Sequence, residues 1–184
     1  MIDLITTPPP AAALAAMCEI EALRIVPTVL NVQSGPESRL GPESAGAILV
    51  LQGTFADAEK FDGFWMEAVA MMRQLATAPG FIRRYNFADG PHYTLIALWR
   101  SLADAQAFFE SPEHQAAMRS TFDRRWNYTH FAGLWEAASP RRRLFFCQAC
   151  DGVGSSTDAC CPTCATPFFD PIGANDGHAT ADLP

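Results

Sequence analysis

Ala47-Ile-Leu-Val-Leu-Gln-Gly53 is a short, continuously apolar run between small residues. It suits a buried strand, being too short for a core helix and lacking a polar face. A helix is predicted next, from near Asp57 to Thr77. Its apolar positions Phe61, Trp65, Ala68, Met72 and Leu75 recur at helical spacing and set one stripe against a core. Pro79-Gly80 stops it. Phe81 to Phe87 reads as a strand with Phe81, Tyr85 and Phe87 on one face, followed by the turn Ala88-Asp89-Gly90-Pro91. His92 to Trp99 is apolar on both faces, which predicts a central strand. Ser101 caps a second helix, with Asp104 at the capping-box position. Ser111-Pro112-Glu113 restarts that helix, a cap followed by proline at the first helical position. Tyr128 to Trp135 alternates small and large apolar residues, as a last strand would.

The order is therefore β-α-β-β-α-β, an α+β chain of the ferredoxin-like split kind. Helices cover one face of an antiparallel sheet. The other face is left apolar and needs a cover, which predicts a homodimer through the sheet. Upstream, residues 34–46 hold two Gly-Pro-Glu-Ser units and read as a loop. Arg24 to Val32 is a candidate strand interrupted by Pro27.

The chain has 184 residues, of which 49% are hydrophobic and 18% charged, so it can build a packed core. Its net charge of −7 argues against sequence-independent binding of nucleic acid, which needs a cationic surface. Arg141-Arg142-Arg143 is a local exception and reads as a solvated, hinge-like join. No apolar run approaches the roughly 20 residues that span a bilayer. Asp3 stands where a secretory signal needs a base, and no secretory signal is read, so a cytoplasmic protein without a membrane partner is expected.

The cysteines divide the chain. Cys18 stands alone, while Cys147, Cys150, Cys160, Cys161 and Cys164 crowd the C-terminal part. Cys147-Gln-Ala-Cys150 and Cys161-Pro-Thr-Cys164 are two C-x2-C pairs joined by a Gly/Ser-rich tether. Such turns let two thiolates converge on one cation while backbone amides point at sulfur, and two of them close a tetrahedral S4 shell. In a chain without a secretion signal, this spacing points to a structural zinc rather than to disulfides. Cys160 is an alternative to Cys161. The second knuckle is similar to those of zinc ribbons and rubredoxins, although Asp151 and Ala165 stand where glycine usually follows a knuckle. The tether is also far shorter than in rubredoxins, which favours zinc over redox iron.

Three stretches carry a family resemblance: Pro79-Gly-Phe-Ile-Arg-Arg-Tyr, Thr94-Leu-Ile-Ala-Leu-Trp-Arg-Ser-Leu-Ala-Asp-Ala-Gln-Ala-Phe, and Ser111-Pro-Glu-His-Gln-Ala-Ala-Met. Over roughly residues 46–137 the chain resembles the antibiotic-biosynthesis-monooxygenase family of the dimeric α+β barrel superfamily. The resemblance implies a ferredoxin-like protomer that pairs through its sheet, with a pocket between sheet and helices. Members include cofactor-independent oxygenases of polyphenols and haem-degrading enzymes. Against the haem-degrading pattern, Phe108 and Met118 stand where that branch has tryptophan and an axial histidine, and His114 falls a turn early.

The expected organisation is an N-terminal extension (1–45), the barrel domain (46–138), a zinc-ribbon-like module (144–170) and a tail of disordered composition (171–184). The leading functional expectation is a monooxygenase acting on a small aromatic or polyketide-like molecule in the barrel pocket. The alternative is a non-catalytic dimeric scaffold whose zinc ribbon docks a partner, and haem binding is the third reading. His130 is a candidate general base, because imidazole titrates near neutrality. Trp65 is a candidate stacking group for a flat substrate, and His114 a candidate haem ligand. Each also has a structural reading: a hydrogen-bonded core histidine, core packing, and a solvated ring at a helix start.

Overall fold

The structure, a computed structural model, describes residues 29–139, 143–155 and 157–168. The expectations for residues 1–28, for Arg141 and Arg142 and for the 171–184 tail lie outside the described residues.

Strands β1 (Val29–Ser34), β2 (Ala47–Phe55), β3 (Phe81–Asp89), β4 (His92–Trp99) and β5 (Asn127–Glu136) form one antiparallel sheet in the order β1-β3-β4-β2-β5. Helices α1 (Ala58–Leu75), α2 (Leu102–Phe109) and α3 (Pro112–Arg124) lie on one face. This is the ferredoxin-like arrangement with one extra edge strand. That strand, β1, pairs with β3 and lies within the stretch expected to be an extension. The loop between β1 and β2 contains a short 3-10 turn at Pro42–Ser44.

β4 is central, as its two-sided apolar sequence requires. It pairs with β3 on one side and β2 on the other, and Tyr93, Ala97, Leu98 and Trp99 are buried. The helix-side core gathers Ala47, Leu49, Leu75, Phe81, Ala97, Trp99 and Phe108. Trp99 packs against Phe81 and Phe108, with ring centroids 5.2 and 5.3 Å away.

The caps form where the sequence predicts them. The Ser101 hydroxyl accepts from the Asp104 amide at 3.1 Å and donates to the Asp104 carboxylate at 2.6 Å. The Ser111 hydroxyl accepts from the His114 amide at 3.3 Å, with Pro112 in the first turn.

Two details differ from the periodic reading. The stripe of α1 that meets the sheet is Phe64, Ala68, Met71 and Leu75, while Phe61 and Trp65 pack to one side in an aromatic group with Phe55. In β3, Phe81 pairs with Trp99 but Arg83 pairs with Leu98, so Ile82 is an inserted residue. This bulge moves every later side chain to the opposite face. Phe81 belongs to the helix-side core, whereas Ile82 and Tyr85 pack with Leu98 and Ile96 on the other face. The expectation that Phe81, Tyr85 and Phe87 share a face fails at this point.

The face away from the helices is apolar and open in the single chain. Val32, Ile48, Phe131 and Trp135 are 38–50% exposed. Phe131 and Trp135 pack on each other at 6.1 Å. The Trp135 indole lies over Gly133, where an added Cβ would come within 2.4 Å of it.

Beyond the sheet, β6 (Leu144–Phe146) and β7 (Val153–Ser155) form a small hairpin. Phe145 stacks on Phe168 at 5.3 Å. Arg143 lies over the Phe145 ring at 5.0 Å and pairs with Glu43 at 3.3 Å, which ties the hairpin to the β1–β2 loop. Among the described residues, no helix is long and apolar enough to cross a membrane.

Candidate functional site

Between sheet and helices lies a cavity of about 120 Å3. Its walls are mostly apolar: Leu49, Leu95 and Trp99 from the sheet, Phe64 and Met71 from α1, Met118 from α3. A few polar groups interrupt them, namely Arg84, Glu67, Thr121, His114 and His130. An apolar cavity with a few polar groups is the usual form of a small-molecule site.

Arg84 is the group that the sequence alone did not single out. The bulge at Ile82 turns it to the helix side, where only 4% of it is exposed. Its Nε and Nη2 have no hydrogen-bond partner, and it makes no ion pair among the described residues. Burial pulls its pKa down to about 10, which still leaves a cation at neutral pH. A buried charge without a counter-charge is costly and invites an anion or an electron-rich oxygen.

The two cavity histidines are set up in opposite ways. The His114 ring lies 5.1 Å from both the Phe108 and the Phe109 rings, and its Nδ1 is 3.2 Å from the Phe109 carbonyl. A carbonyl only accepts, so Nδ1 carries the proton and Nε2 keeps a lone pair. At His130 the neighbour is a donor. The Asn127 amide nitrogen lies 3.4 Å from Nδ1 and 3.3 Å from the Tyr93 hydroxyl. Nδ1 therefore accepts, and Nε2 carries an N–H that is buried without a partner. In this arrangement the neutral His130 ring presents a donor to the cavity.

Burial lowers both histidines from their ordinary 6.5, the Phe109 carbonyl bond partly opposing this at His114. Burial also pushes the Tyr93 hydroxyl up to about 12, against the Asn127 bond. Glu67 is engaged: its carboxylate accepts from the Ser120 hydroxyl at 2.8 Å and pairs with Arg124 at 3.2 Å. Trp65 is not part of the cavity lining, and Phe64 takes that wall position. His114, expected as a haem-ligand candidate, does line the cavity.

A second cluster lies in the C-terminal hairpin. The sulfur atoms of Cys147, Cys150, Cys161 and Cys164 all lie within 4.8 Å of one another. Cys150 Sγ is 3.6 Å from Cys161 Sγ and 3.4 Å from Cys164 Sγ, and Cys147 Sγ is 3.6 Å from Cys164 Sγ. Tetrahedral bonds of about 2.3 Å to one ion set sulfurs about 3.8 Å apart, so the four thiols fit a metal. Backbone amides support them: Ala149 N–H points at Cys147 Sγ and Gly152 N–H at Cys150 Sγ. The Cys164 thiol is drawn down to about 6, first by the Thr166 hydroxyl.

Gly152 fills the role of the missing knuckle glycine, because a Cβ there would meet Cys161 Sγ at 2.5 Å. Ala165, after the second knuckle, adopts φ 60, a left-handed conformation usually left to glycine. Cys161 is the buried member of the adjacent pair and joins the cluster, while Cys160 is exposed and lies outside it.

A sheet with helices on one face and an apolar, arginine-containing cavity between them defines a ferredoxin-like α+β domain. Residues 48–120 match the family model described as antibiotic biosynthesis monooxygenase. Among solved structures, the chain is similar to SnoaB, a cofactor-independent oxygenase from Streptomyces nogalater, at 20% identity and TM-score 0.40. That match covers 50% of this chain and 93% of SnoaB. It is also similar to a conserved protein from Methanosarcina mazei at 12% identity and TM-score 0.45, covering 51% of this chain and 95% of that one. A ferredoxin-fold protein from Listeria monocytogenes, related to antibiotic biosynthesis monooxygenases, matches at 10% identity and TM-score 0.45, covering 60% and 63%. No curated protein matches the chain.

The neutral histidines link the site to pH. As pH falls through 6.5, the unfolded chain takes up protons before the folded one does. The stability contributed by the neutral rings is full above that pH and is lost on the way down to the lowered folded values. Wild type should therefore lose more Tm than a His114→Gln/His130→Gln variant from about pH 7.5 to about pH 5.5. Parallel Tm profiles for the two proteins would contradict burial of neutral rings.

Proposed function

We propose that the barrel domain is a cofactor-independent oxygenase of small aromatic or polyketide-like molecules that ionise to an enolate. The observation that carries this reading is the uncompensated Arg84 cation in an otherwise apolar cavity. In the proposed reaction, a ring C–H conjugated with a carbonyl loses its proton to the His114 Nε2 lone pair. The resulting enolate oxygen is held by the Arg84 guanidinium and the His130 Nε2–H. The enolate then passes an electron to O2, and the two radicals combine to a hydroperoxide. Loss of water leaves a new carbonyl, so one oxygen atom enters the product and the other leaves as water. The mostly apolar cavity favours this sequence, since low polarity strengthens the contacts that hold the anion.

Anthrone offers a direct test, because the same balance converts it with O2 to anthraquinone and water. An oxygen electrode should record uptake with the wild type. Arg84→Gln should slow it about 10²-fold, as removal of one oxyanion donor does. Uptake that is absent, or unchanged in the variant, would refute the reading.

The exposed apolar sheet face supports a homodimer, in which the sheets of two chains cover Val32, Ile48, Phe131 and Trp135. Light scattering should give twice the chain mass for the wild type and the single mass for Trp135→Asp. A monomeric wild type would reject this cover. The scaffold reading, with the ribbon docking a partner, would gain from an inert cavity. A cytoplasmic setting suits the free thiols of the cluster.

The metal is proposed to be zinc, and residues 144–170 to be a module that it folds. Its four thiolate ligands and closed shell fit a structural rather than a catalytic role. Metal analysis should find about one zinc per chain, lost in Cys147→Ser. A purified protein coloured by iron would replace this assignment.

A further inference from the structure

The inner cavity adjoins a second, wider chamber. Thr121 and His130 line both, and the outer chamber measures about 460 Å3. The inner one, at about 120 Å3, is smaller than the ~300 Å3 or more of ordinary small-molecule sites. A ligand that fills it therefore extends past His130 into the outer space. There the chemistry changes. The outer chamber is lined by Lys60, Arg125, Asn127, Tyr128 and Phe122 beside His130, with no acidic residue in its lining.

The two cations of this chamber are uncommitted. Among the described residues neither Lys60 nor Arg125 takes part in an ion pair. The neighbour Arg124 shows the contrast, since it pairs with Glu67 and lies over the Trp126 ring at 5.5 Å. Asp57, close to Lys60 in the chain, accepts the Lys60 backbone N–H at 2.8 Å as the cap of α1. Arg125 also holds a conformation that costs energy. It ends α3 at φ 51 and ψ 52, the left-handed position where glycine is the ordinary residue. An arginine kept at such a place is a reason to look for a use of its side chain.

We infer that the substrate carries an acidic group, a carboxylate on an aromatic frame. Its ring lies in the inner cavity, and its acid sits in the outer chamber between Lys60 and Arg125. The inference rests on the cavity being the ligand site. It divides the two kinds of positive charge: Arg84 meets the oxygen at which the reaction takes place, and Lys60 with Arg125 hold an acid that does not react. Such an anchor fixes which end of a flat molecule enters first.

The test is calorimetric titration of the full-length protein with 2-naphthoate and with its uncharged amide. The carboxylate should bind about tenfold more tightly than the amide, and the preference should shrink as salt is raised. Lys60→Met/Arg125→Gly should bring the two affinities together. Glycine relieves the left-handed strain, so this variant should keep its Tm, and lost binding will not reflect unfolding. Equal binding of both probes by the wild type overturns the acid anchor and leaves the cavity reading standing. So does a preference that survives the double variant and disappears in Arg84→Gln, since it places the acid inside. If neither probe binds the wild type, the anchor falls together with the cavity on which it rests.

Discussion

Trp99 is where the sheet, the helices and the loop before β2 meet. It is 1% exposed, its indole packs between Phe81 and Phe108, and its carbonyl accepts the Gly46 amide at 2.8 Å. Burying a side chain of that size contributes several kcal/mol, and truncating one costs about 3–5 kcal/mol. Its position also sets the register of the neighbouring strand. Phe81 pairs opposite Trp99, and the next paired residue is Arg83, so Ile82 is expelled from the ladder. With Phe81 held on the helix side, an unbulged strand would send Arg83 and Tyr85 inward. The bulge sends Arg84 instead. The chemistry of the cavity thus follows from a packing constraint at its rim.

This explains how much the sequence revealed. The order of elements was legible because each local signal agreed with the next: the apolar run at Ala47, the caps at Ser101 and Ser111, the doubly apolar strand ending at Trp99. The clustering of Cys147, Cys150, Cys161 and Cys164 was legible because C-x2-C spacing is a local property. Arg84 was hidden because strand alternation counts residues and a bulge changes the count. The stripe of α1 was legible at Ala68 and Leu75 and missed Phe64 and Met71. Phe61 and Trp65 obey the helical period, yet they serve an aromatic group with Phe55, and Phe64 faces the cavity. β1 was only partly visible, since Pro27 interrupts the apolar run that leads into it.

The histidines teach a related lesson. Both are cavity residues, and composition alone treats them alike. What separates them is one partner each: a carbonyl at Phe109, which only accepts, and an amide nitrogen at Asn127, which donates. The first leaves a basic nitrogen, the second a donor.

The join between the sheet and the cysteine hairpin is narrow. Arg143 is its centre, with Glu43 on one side and the Phe145 ring on the other, and Phe168 behind that ring. Both charged partners are more than four-fifths shielded from solvent, with 18% and 13% of their side chains exposed. Dissolved salt weakens contacts between exposed charges and reaches shielded ones poorly. The hairpin is thus moored by a clasp that dissolved ions do little to loosen.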